Sequence, residues 1–202
     1  IGSRRQLNRI LQAGVHSHVL VHFLTPDMWS CLKPHLDRIK LTVWVHGADI
    51  QPWWRREHDH TTDVQRARAK EASATRTAFW GSVLAALHPN LHLVFVSDYL
   101  AQQAMEDLEF EIPKAQYSVI HNPIDTKLFA YQPKAPEQRY RVLSVRPHAA
   151  RTYANDLVVQ AILTLQDHPE FDRLSFHLVG DGPLFEATVA PLRHLPNVTL
   201  EQ

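Results

Sequence analysis

The chain has 202 residues, 45% of them hydrophobic, which allows one or two domains with a substantial core. Its 21 basic side chains balance 21 acidic ones, so it has no global field for nucleic acid or an anionic membrane. The single Cys31 excludes a disulfide framework and a thiolate cluster, and the 14 histidines lack the spacing of a helical zinc motif, so no metal site is expected and a reducing, cytoplasmic setting is.

No apolar run approaches the length of a membrane span. The chain opens without Met or a signal-like segment, and Ile1 to Arg9 has the charge of a helix already under way, so an excised piece of a longer chain is expected. Ser17 to Leu24 reads as a first strand, with His18 and His22 among apolar neighbours. Thr25-Pro26-Asp27 then opens a helix, with Thr as N-cap, Pro at the first position and Asp favoured by the dipole. Pro34 should kink or split that helix. Leu41 to Val45 is a second strand, closed by His46-Gly47-Ala48-Asp49 with Gly at a sharp turn. After Trp53-Trp54-Arg55-Arg56 and a polar stretch, a long helix covers much of Val64 to Leu87. Leu91 to Val96 is a third strand, Ser97 caps the next helix, and Tyr117 to Ile120 is a fourth strand.

The texture changes at the turn His121-Asn122-Pro123-Ile124-Asp125 and the polar, Pro-bearing stretch before Arg139, where a hinge is placed. Domains are expected at 1–132 and 133–202. Arg141 to Val145 reads as a buried strand, followed by a loop with Arg146 and Arg151 and an amphipathic helix through Leu165. Ser175 to Val179 is a strand closed by Gly180-Asp181-Gly182-Pro183, a helix strained by Pro191 comes next, and Val198 to Leu200 begins a last strand. The alternation predicts an α/β fold of parallel sheets with helices on both faces.

Two guanidiniums at the carboxyl end of a parallel strand suit a diphosphate, since Arg stays charged and grips phosphate bidentately. The bland reading is two solvated arginines. His46 beside Gly47 suits either a structural hydrogen bond or a close ligand contact. Gly180 to Pro183 reads as a tight strand-to-helix turn, because a lone Gly-x-Gly is weak as a phosphate loop. Trp53 and Trp54 could stack on a sugar but more often such residues pack. Ser97 is a cap, since no nucleophile elbow surrounds it, and the acidic residues show no acid/base pair by spacing.

In this order the pieces resemble the GT-B group of retaining nucleotide-sugar glycosyltransferases, called group 1 or family 4. Val119 to Phe129 resembles its inter-domain signature, with Pro123 where Gly is usual. Leu143-Ser144-Val145-Arg146 with Arg151 is similar to the strand and Arg/Lys pair that hold the donor diphosphate, Arg151 replacing the Lys. Leu178 to Leu184 and Leu195-Pro196-Asn197-Val198 are similar to the next strand and turns of the family's second domain, and Val45-His46-Gly47 to the His-Gly of the first. The resemblance spans nearly the whole chain. It lacks the family's opening strand and glycine-rich loop, and its base-binding segment and two-glutamate motif.

The resemblance implies two Rossmann-like halves facing a cleft, the first largely present and the second truncated. It implies transfer of a sugar, with retention, from a nucleotide-diphosphate sugar to a glycan or lipid-linked acceptor. Arg146 and Arg151 would neutralise the leaving diphosphate, as a metal ion does elsewhere. His46 would position the transferred sugar or acceptor as the catalytic-site residue. Gly47, Asp49, Asn122, Gly180, Asp181 and Gly182 would line the donor or acceptor cleft. No cofactor beyond the donor substrate is expected. Expected partners are the nucleotide sugar and a saccharide acceptor, not nucleic acid, with peripheral membrane contact compatible. A nucleotide-sugar epimerase of the same shape and a non-catalytic scaffold are the rivals. The piece alone is expected to be inactive and to self-associate, with the last strand as an open edge and Leu157, Ile162 or Phe176 partly uncovered.

Overall fold

The computed structural model describes residues 3–202. Ile1 and Gly2, where the charged N-terminal segment begins, lie outside the described residues. The chain divides into two compact units, Ile1–Ile124 and Asp125–Gln202. The division falls inside the expected hinge and ahead of 132/133. At that point Asp125 closes a local turn, its Oδ1 accepting from the Lys127 and Leu128 N–H groups at 2.9 and 3.1 Å.

The first unit opens with α1 (Arg4–Ala13), capped by the Ser3 hydroxyl and ended by Gly14 at φ +71°. The described helix thus begins at Arg4, directly after this cap, and ends at a left-handed glycine. Strand β1 (His18–His22) is followed by α2 (Pro26–Leu32), whose N-cap Thr25 accepts from Met28 N–H at 3.3 Å. Pro34 ends α2 in a 3₁₀ turn at Lys33–His35, as a ring without an N–H must. Then come β2 (Lys40–Val45), a 3₁₀ segment at Trp53–Asp59, and α3 (Asp63–Ala85). A reciprocal capping box between Thr62 and Gln65 starts α3. Strand β3 (Leu91–Phe95), α4 (Asp98–Asp107) capped by Ser97, and β4 (Tyr117–Val119) complete the unit.

The four strands are parallel in the order β1-β2-β3-β4. Each crossover returns to the neighbouring strand, so right-handed connections bring the helices to one side of the sheet. The side-chain pattern agrees. Leu41, Val43 and Val45 are fully buried and join Leu93, Phe95, Trp80, Leu32 and Leu11 in one core. Thr42, Trp44 and His46, on the alternate face, are only half-buried. Across β1 the same split puts Val19 and Val21 against the core and leaves Leu20 66% exposed. The expectation of helices on both faces is corrected here: among the described residues the helices pack into one core on one face, and the other face carries no helix, with Val94 alone of its β3 residues fully buried there.

The second unit contains β5 (Arg141–Val145), α5 (Asn155–Leu165), β6 (Ser175–Val179), α6 (Phe185–Val189) and β7 (Val198–Glu201). Pro191 turns the end of α6 into 3₁₀ geometry at Ala190–Leu192. The strands are parallel in the order β5-β6-β7. Phe176, Leu178, Ile162, Phe171 and Leu192 form its core, so Ile162 and Phe176 are buried rather than partly uncovered; Leu157 is exposed. Strand β5 is not the buried strand that its apolar sequence suggests. It pairs with β6 alone, and Leu143 and Val145 on its open face are each 64% exposed. Its outer edge is open as well as that of β7. Among the described residues no helix is long and apolar enough to cross a membrane.

An unpaired edge flanked by exposed Val142, Leu143 and Val145 recruits other chains. Light scattering across a concentration series is expected to show dimers or larger species. Charges at Leu143→Lys and Val145→Glu should return the chain toward monomer. A strictly monomeric wild type refutes the edge as an association site.

Candidate functional site

In the first unit the candidate residues lie just past the carboxyl end of β2. Gly47 takes φ +85°, which only glycine adopts without strain, and its carbonyl accepts from Ile50 and Gln51 N–H at 3.0 and 2.7 Å. A Cβ at Gly47 would meet Gln51 Oε1 at 3.2 Å. The glycine thus serves a tight turn that Gln51 fills. His46 donates its backbone N–H to Asp49 Oδ1 at 2.9 Å. Trp80 Nε1 donates to the Asp49 carbonyl at 2.5 Å, and Arg76 Nε to the Gln51 carbonyl at 3.0 Å. Asp49 Oδ2 is buried without a hydrogen-bond partner. Burial raises the Asp49 pKa, against the lowering effect of the backbone N–H bonds and of nearby His46 and Arg76. Burial lowers the Arg76 pKa, and Asp49 partly offsets that.

His46 carries more than the sequence suggests. Its Nε2 lies 2.8 Å from His22 Nδ1, at the end of the neighbouring strand. The Phe23 ring stacks on the His46 ring with centroids 4.3 Å apart. Phe23 holds φ +56°, a left-handed conformation that costs a non-glycine residue roughly 1–3 kcal/mol. Neither composition nor motif assigns His22 or Phe23 to a site. The signal in the sequence is position: His22 ends β1 as His46 follows β2. Asn122 lies exposed beyond β4, in the loop that leads out of the first unit. Trp53 packs under Lys70 Nζ, 4.7 Å from its ring centroid, and Trp54 is half exposed.

In the second unit the β5–α5 loop and the β6–α6 turn are zipped together. Arg146 N–H donates to the Val179 carbonyl at 3.0 Å, His148 N–H to Asp181 at 2.7 Å, and Leu184 N–H to His148 at 3.1 Å. A Cβ at Gly180 would stand 1.9 Å from the Arg146 carbonyl oxygen. One at Gly182, where φ is +142°, would stand 2.4 Å from the His148 carbonyl carbon. Both glycines therefore exist so that two loops can touch. Asp181 Oδ1 accepts from Gly182 N–H at 2.6 Å and from Gln202 at 3.1 Å, which uses it locally. His148 is 3% exposed, lies edge-on to Phe185 with its Nδ1 unpartnered, and burial lowers its pKa.

This lock presents the two arginines. Arg146 is exposed and spends one N–H on the Tyr153 carbonyl at 2.8 Å. Arg151 is exposed and lines a cavity of about 420 Å³ between α5 and α6, with His148, Asn155 and Val159. Among the described residues neither arginine makes an ion pair, so both charges remain available. Among the described residues no group of three or more His, Cys, Asp and Glu converges to hold a metal ion.

Two measurements test these placements. Gly180→Ala forces backbone apart and should destabilise the second unit by about 1–3 kcal/mol or more in urea denaturation; an unchanged midpoint refutes the lock. Asp49 has a raised pKa in the fold, so the native state holds its proton to higher pH than the unfolded chain. Stability should fall as pH rises from the ordinary carboxyl range through the raised value. Asp49→Asn should lose this component of the pH dependence, read from denaturation midpoints across the weakly acidic range.

No family model matches the sequence, and no curated protein matches it. Solved structures match the fold. A mutant of S. aureus TarM, in complex with fondaparinux, α-GlcNAc-glycerol and UDP, aligns with 98% of this chain and 36% of its own, at TM-score 0.56 and 11% identity. A glycosyltransferase from Rickettsia africae aligns with 98% of this chain and 49% of its own, at TM-score 0.56 and 14% identity. The chain thus spans less than half the length of either structure. At these identities the likeness is one of fold, and the fold of this chain is the mixed α/β, parallel-sheet fold found in these structures.

Proposed function

We propose that this chain is the acceptor-side domain and the first part of the donor-binding domain of a GT-B glycosyltransferase that transfers a sugar from a nucleotide-diphosphate sugar with retention of configuration. The observation that carries the reading is the pair of exposed arginines at the carboxyl end of β5, without ionic partners and set on a glycine-dependent lock. The fold shared with a glycosyltransferase, and with a protein bound to UDP, supports it.

On this reading Arg146 and Arg151 bind the diphosphate. As the bond from the sugar to the diphosphate oxygen breaks, negative charge grows on the leaving group, and two fixed cations stabilise it without reorganisation. They do so in the absence of a divalent metal. His46 is read as the contact to a hydroxyl of the transferred sugar or of the acceptor, a saccharide or lipid-linked saccharide. Gly47, Gly180 and Gly182 shape the loops, while Asp49 holds the His46 backbone. Transfer itself is assigned to the whole protein, of which this chain corresponds to part.

Calorimetric titration with UDP in the presence of EDTA tests this. Binding is expected despite the chelator. Each charge-assisted contact shielded from water is worth about 1.5–3 kcal/mol, so Arg146→Ala with Arg151→Ala should weaken UDP about a hundredfold or more. Unchanged affinity in the double variant overturns the arginine assignment. Binding that appears only with added magnesium or manganese overturns the metal-free mechanism.

A further inference from the structure

The open face of the first sheet ends in a ring cluster around His46 whose other members, His22, Phe23 and Trp44, the proposed function leaves without a role. His22 is in register with Trp44 of β2, and the two rings stack with centroids 5.2 Å apart and planes 19° apart. This aromatic platform holds an otherwise exposed imidazole in place. His22 Nδ1 then stands 2.8 Å from His46 Nε2. At that separation one nitrogen donates an N–H and the other accepts it; two N–H groups cannot face each other. The His46 backbone N–H is occupied by Asp49 Oδ1. Phe23 lies against the ring of His46 at 4.3 Å, from a strained backbone position. His46 Nδ1 is the nitrogen of that ring left without a hydrogen bond among the described residues.

We propose that His22 is a positioning residue for His46: it occupies Nε2, with Trp44 behind it and Phe23 on the ring face, and leaves Nδ1 as the one ring atom open to a hydroxyl of the bound sugar. The assignment rests on reading His46 as a sugar contact. It adds that the contact is made through one nitrogen and that a residue of the neighbouring strand decides which.

The test is nitrogen-15 NMR of the imidazole rings in the 202-residue chain, at a pH well above the ordinary histidine range. The unliganded protein should show a scalar coupling across the hydrogen bond between His22 Nδ1 and His46 Nε2. His22→Phe keeps a ring on Trp44 but has no nitrogen. It should abolish the coupling and change the tautomer balance of His46. His22→Asn, whose amide can reach the place of Nδ1, should restore the bonded state of His46 Nε2. Absence of coupling in the wild type, or a His46 spectrum unchanged by His22→Phe, overturns the proposal. UDP-N-acetylglucosamine is then added to the wild type. A shift larger at His46 Nδ1 than at Nε2 supports the open-nitrogen assignment, and the reverse overturns it. Binding of the nucleotide sugar with no shift at either nitrogen overturns the sugar-contact reading itself, while the coupling result still decides the pairing of the two histidines.

Discussion

Right-handed crossovers between neighbouring parallel strands put successive helices on the same side of a sheet, and both units obey this constraint. Core side chains then come from alternate strand positions, such as Leu41, Val43 and Val45 in β2 and Phe176 and Leu178 in β6. The residues between them are left on a face without a helix. That is why Trp44, His22 and His46 can form a ring cluster instead of vanishing into the core, and why Leu143 and Val145 stay exposed despite being apolar. The same geometry directs the loops at the carboxyl ends of β2 and β5 out of the sheet. His46 and Arg146 sit just past those strand ends, where open α/β sheets place their ligands.

The second unit shows how a loop can be rigid and still offer charge. Its rigidity comes from backbone: hydrogen bonds from Arg146, His148 and Leu184 close the contact, and two glycines remove the Cβ atoms that would block it. None of this consumes a guanidinium charge. Elsewhere the chain does consume them. Arg55 grips Asp107 with Nε and Nη2, at 2.9 Å for the shorter ion-pair distance, and the Asp107 side chain is only 7% exposed. That pair fixes the 3₁₀ segment Trp53–Asp59 against α4. An exposed pair contributes about 0–1 kcal/mol, so leaving Arg146 and Arg151 without ionic partners among the described residues sacrifices little stability. Free surface cations are therefore an inexpensive feature to retain, and a useful one only where the backbone holds them still.

Much of this fold was legible because local rules and tertiary structure agree. Thr25-Pro26-Asp27, Ser97, Pro34 and Pro191 act in the structure as their chemistry suggests. The Thr62–Gln65 capping box was written in the sequence as well, although helix propensity alone points only to the region. Burial was less legible. An apolar run such as Val142 to Val145 looks the same in the middle of a sheet and at its edge, and only strand order separates the two cases. The candidate site was legible in part. Arg146, Arg151 and His46 announce themselves by residue type and by their place just after a strand. His22 does not, because its role depends on the register that sets β1 beside β2, and register is a relation between segments. The glycines of the β6–α6 turn were legible as a turn, but the partner that requires them is the loop after β5, distant in sequence.

Histidine roles in this chain are decided by where the ring nitrogens go. His148 lies in the same loop as Arg146 yet is buried against Phe185, and burial favours its neutral form. Its backbone N–H and carbonyl both join the lock, so its place in the chain is architectural first. His92, on the face without a helix, shares a hydrogen bond between its Nε2 and the Ser118 hydroxyl at 2.8 Å, a link between β3 and β4. His177 reaches Glu201 at 3.0 Å, linking β6 to β7. These contacts join neighbouring strands across an open face, where no helix supplies packing. The His22–His46 contact joins β1 to the loop after β2 in the same manner. It differs in what it leaves over, because the second ring sits beyond the last paired residue of its strand, with a free nitrogen and a turn behind it. A cross-strand link placed at the end of a sheet thus stops being only a link, since its outer atom faces the region where parallel sheets bind ligands.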